Sequence, residues 1–144
     1  YVQYGGGYIG ICAGSYFAAN KIIWRGWANE PRQYFTITGL GIFSGTADGP
    51  IDDYAPTYQN YNCIVNINRN HPITSYINQQ IEYPYSFGPK FIIADSSSVS
   101  ILGKTATGNN PVVLAVQYGL GRVFMTALHT EFYNDKSLVK IKKQ

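Results

Sequence analysis

Gly5-Gly6-Gly7-Tyr8-Ile9-Gly10-Ile11-Cys12-Ala13-Gly14-Ser15-Tyr16-Phe17-Ala18-Ala19 is the stretch on which the reading of the fold turns. Tyr8 to Ile11 is short and apolar, as a buried strand is, and small, helix-tolerant residues run from Ala13 to Ala19. Cys12 sits between them, with Gly10 and Gly14 two residues away on either side. A nucleophile held on a sharp strand-to-helix turn needs that pattern, because larger side chains two positions away would meet crowded backbone. The turn aims the first N–H groups of the following helix at the sulfur, which favours a thiolate and offers a donor to a developing oxyanion. The competing interpretation is a glycine-rich loop with a structural cysteine. The strand-like and helix-like flanks favour the elbow.

Outward from that turn, 144 residues suffice for one domain with a substantial core, taken here as residues 1–144. The chain is 45% hydrophobic but only 13% charged, and Tyr occurs 13 times. A net charge of +3, with Lys136, Lys140, Lys142 and Lys143 near the end, reads as a solvated C-terminal helix rather than a nucleic-acid surface. No apolar run is long enough to cross a membrane as a helix. Cys12 and Cys63 do not make a disulfide framework, and Cys63, in Asn62-Cys63-Ile64-Val65, reads as a small buried hydrophobe. The compartment stays open, with the cytoplasm favoured.

Lys21 to Trp27 is aromatic and ambiguous between a helix end and a strand, and Asn29-Glu30-Pro31-Arg32 reads as a turn. Leu40 to Phe43 reads as a strand entering a tight loop, Ser44-Gly45-Thr46-Ala47-Asp48-Gly49-Pro50. Asp48, Asp52 and Asp53 lack the spaced partners of a metal site, and neither metal nor cofactor is expected. Asn62 to Asn68 alternates as a half-buried strand does. His71, before Pro72, reads as a loop residue opening a helical turn to about Gln79. Strands are expected at Ile81–Tyr85, Phe91–Ala94 and Val99–Lys104. The clearest hairpin joins Val112–Gln117 to Arg122–Leu128 through Tyr118-Gly119-Leu120-Gly121.

That last strand runs into His129-Thr130-Glu131. Residues at the carboxyl ends of strands line the crevice of an α/β sheet, and Cys12 has the same placement. His129 is therefore the candidate base for the thiol, and Glu131, two residues on, the candidate partner that orients its imidazole.

Three stretches together resemble the class I glutamine amidotransferase-like superfamily, and within it the family named for the N-terminal domain of biotin–protein ligases. They are Gly5 to Tyr16, Phe43-Ser44-Gly45-Thr46-Ala47-Asp48-Gly49-Pro50, and Gly119-Leu120-Gly121-Arg122-Val123 leading to His129 and Glu131. The resemblance implies an α/β fold, a flavodoxin-like three-layer sandwich with a mostly parallel sheet in which Tyr8–Ile11 and Arg122–Leu128 are inner strands. It implies a Cys12, His129, Glu131 triad, the Ala13 N–H as an oxyanion donor, Gly45 and Thr46 against the substrate, and a small-molecule amide such as glutamine as substrate. Members of the family carry further strands before the elbow, with a Pro-Gly-Gly loop that adds an oxyanion donor. That implies a preceding segment or a partner polypeptide for this chain. Thr130 stands where a proline is common.

Three functions follow from these residues. The first is hydrolysis or transfer at a carbon–nitrogen bond through a Cys12 thioester. The second is a catalytically silent binding or regulatory domain. The third, a relative of the superfamily's peptidase and deglycase branch, ranks last, because Ala13 stands where that branch often has His.

Overall fold

The computed structural model describes residues 1–26, 35–51 and 61–132. The expected turn at Asn29–Arg32, Asp52 and Asp53, and the lysine-rich C-terminal helix lie outside the described residues.

A 3₁₀ turn at Val2–Tyr4 leads into β1 (Gly7–Ile11), and α1 (Ala13–Ala18) passes without a connector into β2 (Ala19–Trp24). There follow β3 (Phe35–Thr38), β4 (Phe43–Gly49), β5 (Tyr61–Ile67), β6 (Gln80–Tyr85) and β7 (Lys90–Ile93). The chain continues through β8 (Val99–Thr105), β9 (Pro111–Tyr118) and β10 (Gly121–Thr126) to a further 3₁₀ turn, Thr130–Phe132. Two sheets result. One has six strands in the order β1-β10-β9-β8-β5-β6, and the other has four in the order β3-β2-β4-β7.

This overturns the expected flavodoxin-like sandwich. Among the described residues 53% are strand and 10% helix, too little helix to cover a parallel sheet on both faces. Among the described residues the only parallel neighbours are β1 with β10 and β2 with β4, and the other pairings are antiparallel. The reason is local: α1 has six residues, and β2 starts at the next one. A helix that short cannot carry the chain back across a sheet, so the chain changes sheets at the elbow instead. In the six-stranded sheet β10 is an inner strand, as expected, but β1 is an edge.

Two further expectations change. The run Ser44 to Pro50 is not a tight loop, since Phe43–Gly49 forms β4, hydrogen-bonded on both sides. His71 to Gln79 makes a series of turns without a helix. The hairpin at Gly119 and Leu120 forms, with Gly119 at φ 58°. β5 alternates as anticipated, burying Cys63, Val65 and Ile67 while Asn62, Ile64 and Asn66 face outward. Cys63 is a fully buried thiol, as anticipated.

The six-stranded sheet curls into a half-barrel. Its far edge comes round to the segment after β10, where Tyr85 bridges Leu128 and the His129 N–H donates to the Pro84 carbonyl at 2.9 Å. Both faces of β9 and β10 are thereby covered, and the apolar run Val112 to Val116 is divided between two cores. Leu114, Val116, Val123 and Met125 pack toward the four-stranded sheet and α1, against Ile22, Phe43, Ala47 and Phe91. Val112, Val113, Ala127 and Leu128 pack inside the curl with Cys63, Val65, Tyr85 and Leu102. Each large buried side chain here contributes roughly 1.5–3 kcal/mol. Two cores rather than one explain why a sheet with few helices holds together.

Candidate active site

Parallel neighbours run out at the same end of a sheet. Ile11 pairs with Thr126, and the Cys12 N–H donates to the Thr126 carbonyl at 2.9 Å. The residues that follow β1 and those that follow β10 therefore share one rim, although 117 positions separate Cys12 from His129.

The turn at Cys12 has the form of a nucleophile elbow. Cys12 lies at φ 48°, ψ −105°, as the N-cap of α1. A non-glycine residue held there costs on the order of 1–3 kcal/mol, a strain that clusters at functional sites. Its carbonyl accepts the Ser15 and Tyr16 N–H groups at 3.0 and 3.2 Å and the Ser15 hydroxyl at 2.7 Å, which locks the turn in place.

The two flanking glycines prove unequal. A Cβ on Gly10 would lie 2.8 Å from the Gly14 carbonyl oxygen and 2.9 Å from the Ser15 nitrogen, both rigid backbone. A Cβ on Gly14 would find only the Tyr8 hydroxyl, at 3.8 Å. Gly10→Ala is accordingly expected to destabilise the domain by about 1–3 kcal/mol through overpacking. Gly14→Ala should be neutral or stabilising by about 0.5–1 kcal/mol, since alanine suits a helix better. Paired urea melts of the two variants would check this; equal midpoints would remove the crowding argument.

Around the sulfur the chemistry is that of a resting thiol. Cys12 Sγ donates to the Ser86 carbonyl at 3.2 Å. Burial pushes the thiol above its ordinary value, the Ala13 N–H pulls it down, and the charge of Glu131 adds to the rise. Burial wins, so the thiolate that the elbow alone would favour is not the resting form. The Ser86 carbonyl is fixed by its loop. The Tyr16 hydroxyl donates to the Phe87 carbonyl at 2.8 Å and the Tyr85 hydroxyl to the Gly88 carbonyl at 2.6 Å. Gly88 leaves no room for a Cβ, which would run into the Ala127 carbonyl.

His129 Nδ1 lies 2.7 Å from Glu131 Oε1. Burial would raise the Glu131 carboxyl, but its hydrogen bonds with the imidazole and with backbone, together with the charge of His129, hold it below the usual carboxylate range. Glu131 is thus ionised at neutral pH. This pairing contributes stability above the unfolded carboxylate value, near 4.3, and loses it as pH falls through the lower folded value.

A cavity of about 470 Å³ opens between the two sheets at this rim. Cys12, Ala13 and His129 line it, together with side chains from α1, β2, β3 and the Ser86–Phe87 loop. Glu131 meets it through His129. Gly45 and Thr46 do not line it; they lie within β4, where they pair with Ile93 and Ile92 of β7. Asp48, weighed as a metal ligand, is buried against Arg25 in a two-point ion pair of 2.7 and 2.6 Å. Lys90 Nζ stands 3.8 Å from the Asp48 oxygen that Arg25 Nη2 holds. No cluster of metal-ligating side chains occurs among the described residues. His71 lies elsewhere, its Nδ1 accepting the Ile73 N–H at 3.2 Å.

Sequence reasoning passed over Ser86, Phe87, Tyr16 and Trp24 as site residues. Ser86-Phe87-Gly88-Pro89 was legible as a turn, but which of its carbonyls meets the sulfur depends on how the far edge of the sheet curls back. A comparison with known families matches residues 1–144, the whole chain, to the one described as biotin-protein ligase, N terminal. A comparison with curated proteins finds no match.

Proposed function

This chain belongs to the biotin-protein ligase N-terminal family, and we propose that it hydrolyses or transfers at the carbon–nitrogen bond of a small amide through a Cys12 thioester. The observation that carries the reading is the convergence of a strained elbow cysteine and a glutamate-paired histidine on one cavity. The chemistry is that of class I glutamine amidotransferase-like proteins, proposed here on a different arrangement of strands.

In this reaction the thiol hydrogen leaves the Ser86 carbonyl and passes to His129. Nδ1 faces Glu131, so Nε2 is the nitrogen assigned to the transfer. Sulfur attacks the amide carbon, and the oxyanion takes the Ala13 N–H, a donor of a kind worth roughly 3 kcal/mol. The carbon–nitrogen bond breaks as His129 returns the proton to the leaving ammonia. Water, deprotonated by His129, then cleaves the thioester to a carboxylic acid and regenerates the thiol.

A silent binding or regulatory domain is the second reading, and the raised, hydrogen-bonded thiol favours it. Ammonia release from a panel of primary amides, with acid quenching and mass spectrometry of the Cys12 peptide, separates the two. Turnover should come with an acyl adduct on Cys12, and both should vanish in Cys12→Ala. Absence of both in the unmodified protein, with iodoacetamide labelling only above the ordinary thiol range of about pH 8.5, would establish the silent domain instead.

A further inference from the structure

The thioester chemistry leaves open which acyl group the amide carries, and the walls of the cavity bear on it. Beyond Cys12, Ala13, Ser86 and His129, the lining consists of Tyr16, Phe17, Ile22, Trp24, Ile37 and Phe87. These six come from α1, β2, β3 and the loop after β6, so the apolar character is not an accident of one amphipathic face. Tyr16 and Trp24 meet edge to face, with centroids 5.8 Å apart and planes at 66°, which fixes the inner wall. Phe17 and Ile37 stand at the mouth, 53% and 44% exposed, where a bound group would cover them.

Three polar groups of this wall already have partners within the protein. The Tyr16 hydroxyl is held by the Phe87 carbonyl, the Cys12 thiol by the Ser86 carbonyl, and His129 Nδ1 by Glu131. Among the described residues no lysine, arginine, aspartate or glutamate lines the cavity. A free amino acid brings an ammonium and a carboxylate that would lose water here without gaining a counter-charge. An aromatic or branched aliphatic group would instead exchange water for ring and methyl contacts. A volume of about 470 Å³ holds such a group with space for the amide at the sulfur.

Resting on the proposed cysteine chemistry, we infer that the substrate is an apolar carboxamide, with an aromatic or branched aliphatic acyl group, rather than glutamine. The products are the apolar carboxylic acid and ammonia.

The test uses the full chain with two probes, phenylacetamide and L-glutamine, in two measurements. Hydrolysis is followed as ammonia release, and binding as calorimetric titration of Cys12→Ala, which keeps the cavity without the chemistry. Phenylacetamide is expected to exceed glutamine in kcat/KM by roughly tenfold to a hundredfold, and to bind Cys12→Ala where glutamine does not. Phe17→Asp, at an exposed position that spares the core, should weaken phenylacetamide binding by roughly tenfold. Glutamine equal or superior in either measurement overturns the inference while leaving the thioester chemistry standing. Phenylacetamide binding without hydrolysis by the unmodified protein upholds the apolar pocket and removes the chemistry. Failure of phenylacetamide to bind overturns the inference.

Discussion

Replacement of His129 by alanine is expected to lower the proposed amide turnover by about 10²–10⁴-fold while leaving the fold in place. The two consequences separate because the backbone and side chain of this residue have different duties. Its N–H holds the Pro84 carbonyl and helps close the curl, and alanine retains that bond. Its side chain is 18% exposed and reaches Glu131, not the core. Rate should therefore fall far more than melting temperature. Glu131→Gln should cost less than His129→Ala, since an amide can still accept from Nδ1 but cannot stabilise the imidazolium. Ammonia release at saturating and limiting substrate, alongside thermal melts, would check both. If His129→Ala kept full activity, the base would have to be sought elsewhere on the rim.

Arg25→Ala is expected to destabilise the domain by about 3 kcal/mol, a fall of roughly 10 °C in Tm for a chain of this size. Exposed ion pairs contribute well under 1 kcal/mol, so the size of the effect rests on burial. The Asp48 side chain is only 4% exposed and gives both oxygens to the Arg25 guanidinium. Lys90, at 3.8 Å, is too distant to replace those bonds. Removing Arg25 leaves a desolvated carboxylate with one remote partner, and that penalty is what the melt would register. Arg25→Ala with Asp48→Ala should be less harmful than Arg25→Ala alone, because the stranded charge disappears with its partner. A loss below 1 kcal/mol for Arg25→Ala would mean that Asp48 finds water.

The elements most legible in the sequence were those whose evidence is short in range. β5 declared itself by alternation, and the β9–β10 hairpin by two apolar runs around Gly119 and Gly121. The elbow was legible because a strained turn restricts its immediate neighbours, although only Gly10 of the two glycines meets backbone. Ser44 to Pro50 misled because glycine, proline and aspartate mark turns in isolation. In β4, Gly45 is instead required by the closeness of the Ile92 carbonyl and the Phe43 ring, and Asp48 is accepted because Arg25 neutralises it.

The sequence by itself determined that a cysteine follows a strand at a sharp turn, and that a His-x-Glu follows another. Both are statements about a few adjacent residues, governed by backbone sterics and side-chain period. Only the tertiary structure decided which strands are neighbours, and with that the kind of sheet, the apolar cavity and the protonated state of Cys12. Strand pairing depends on which faces find each other across the whole chain. The sign of the thiol's shift likewise depends on whether burial or the elbow's own N–H is stronger, and burial belongs to the assembled fold.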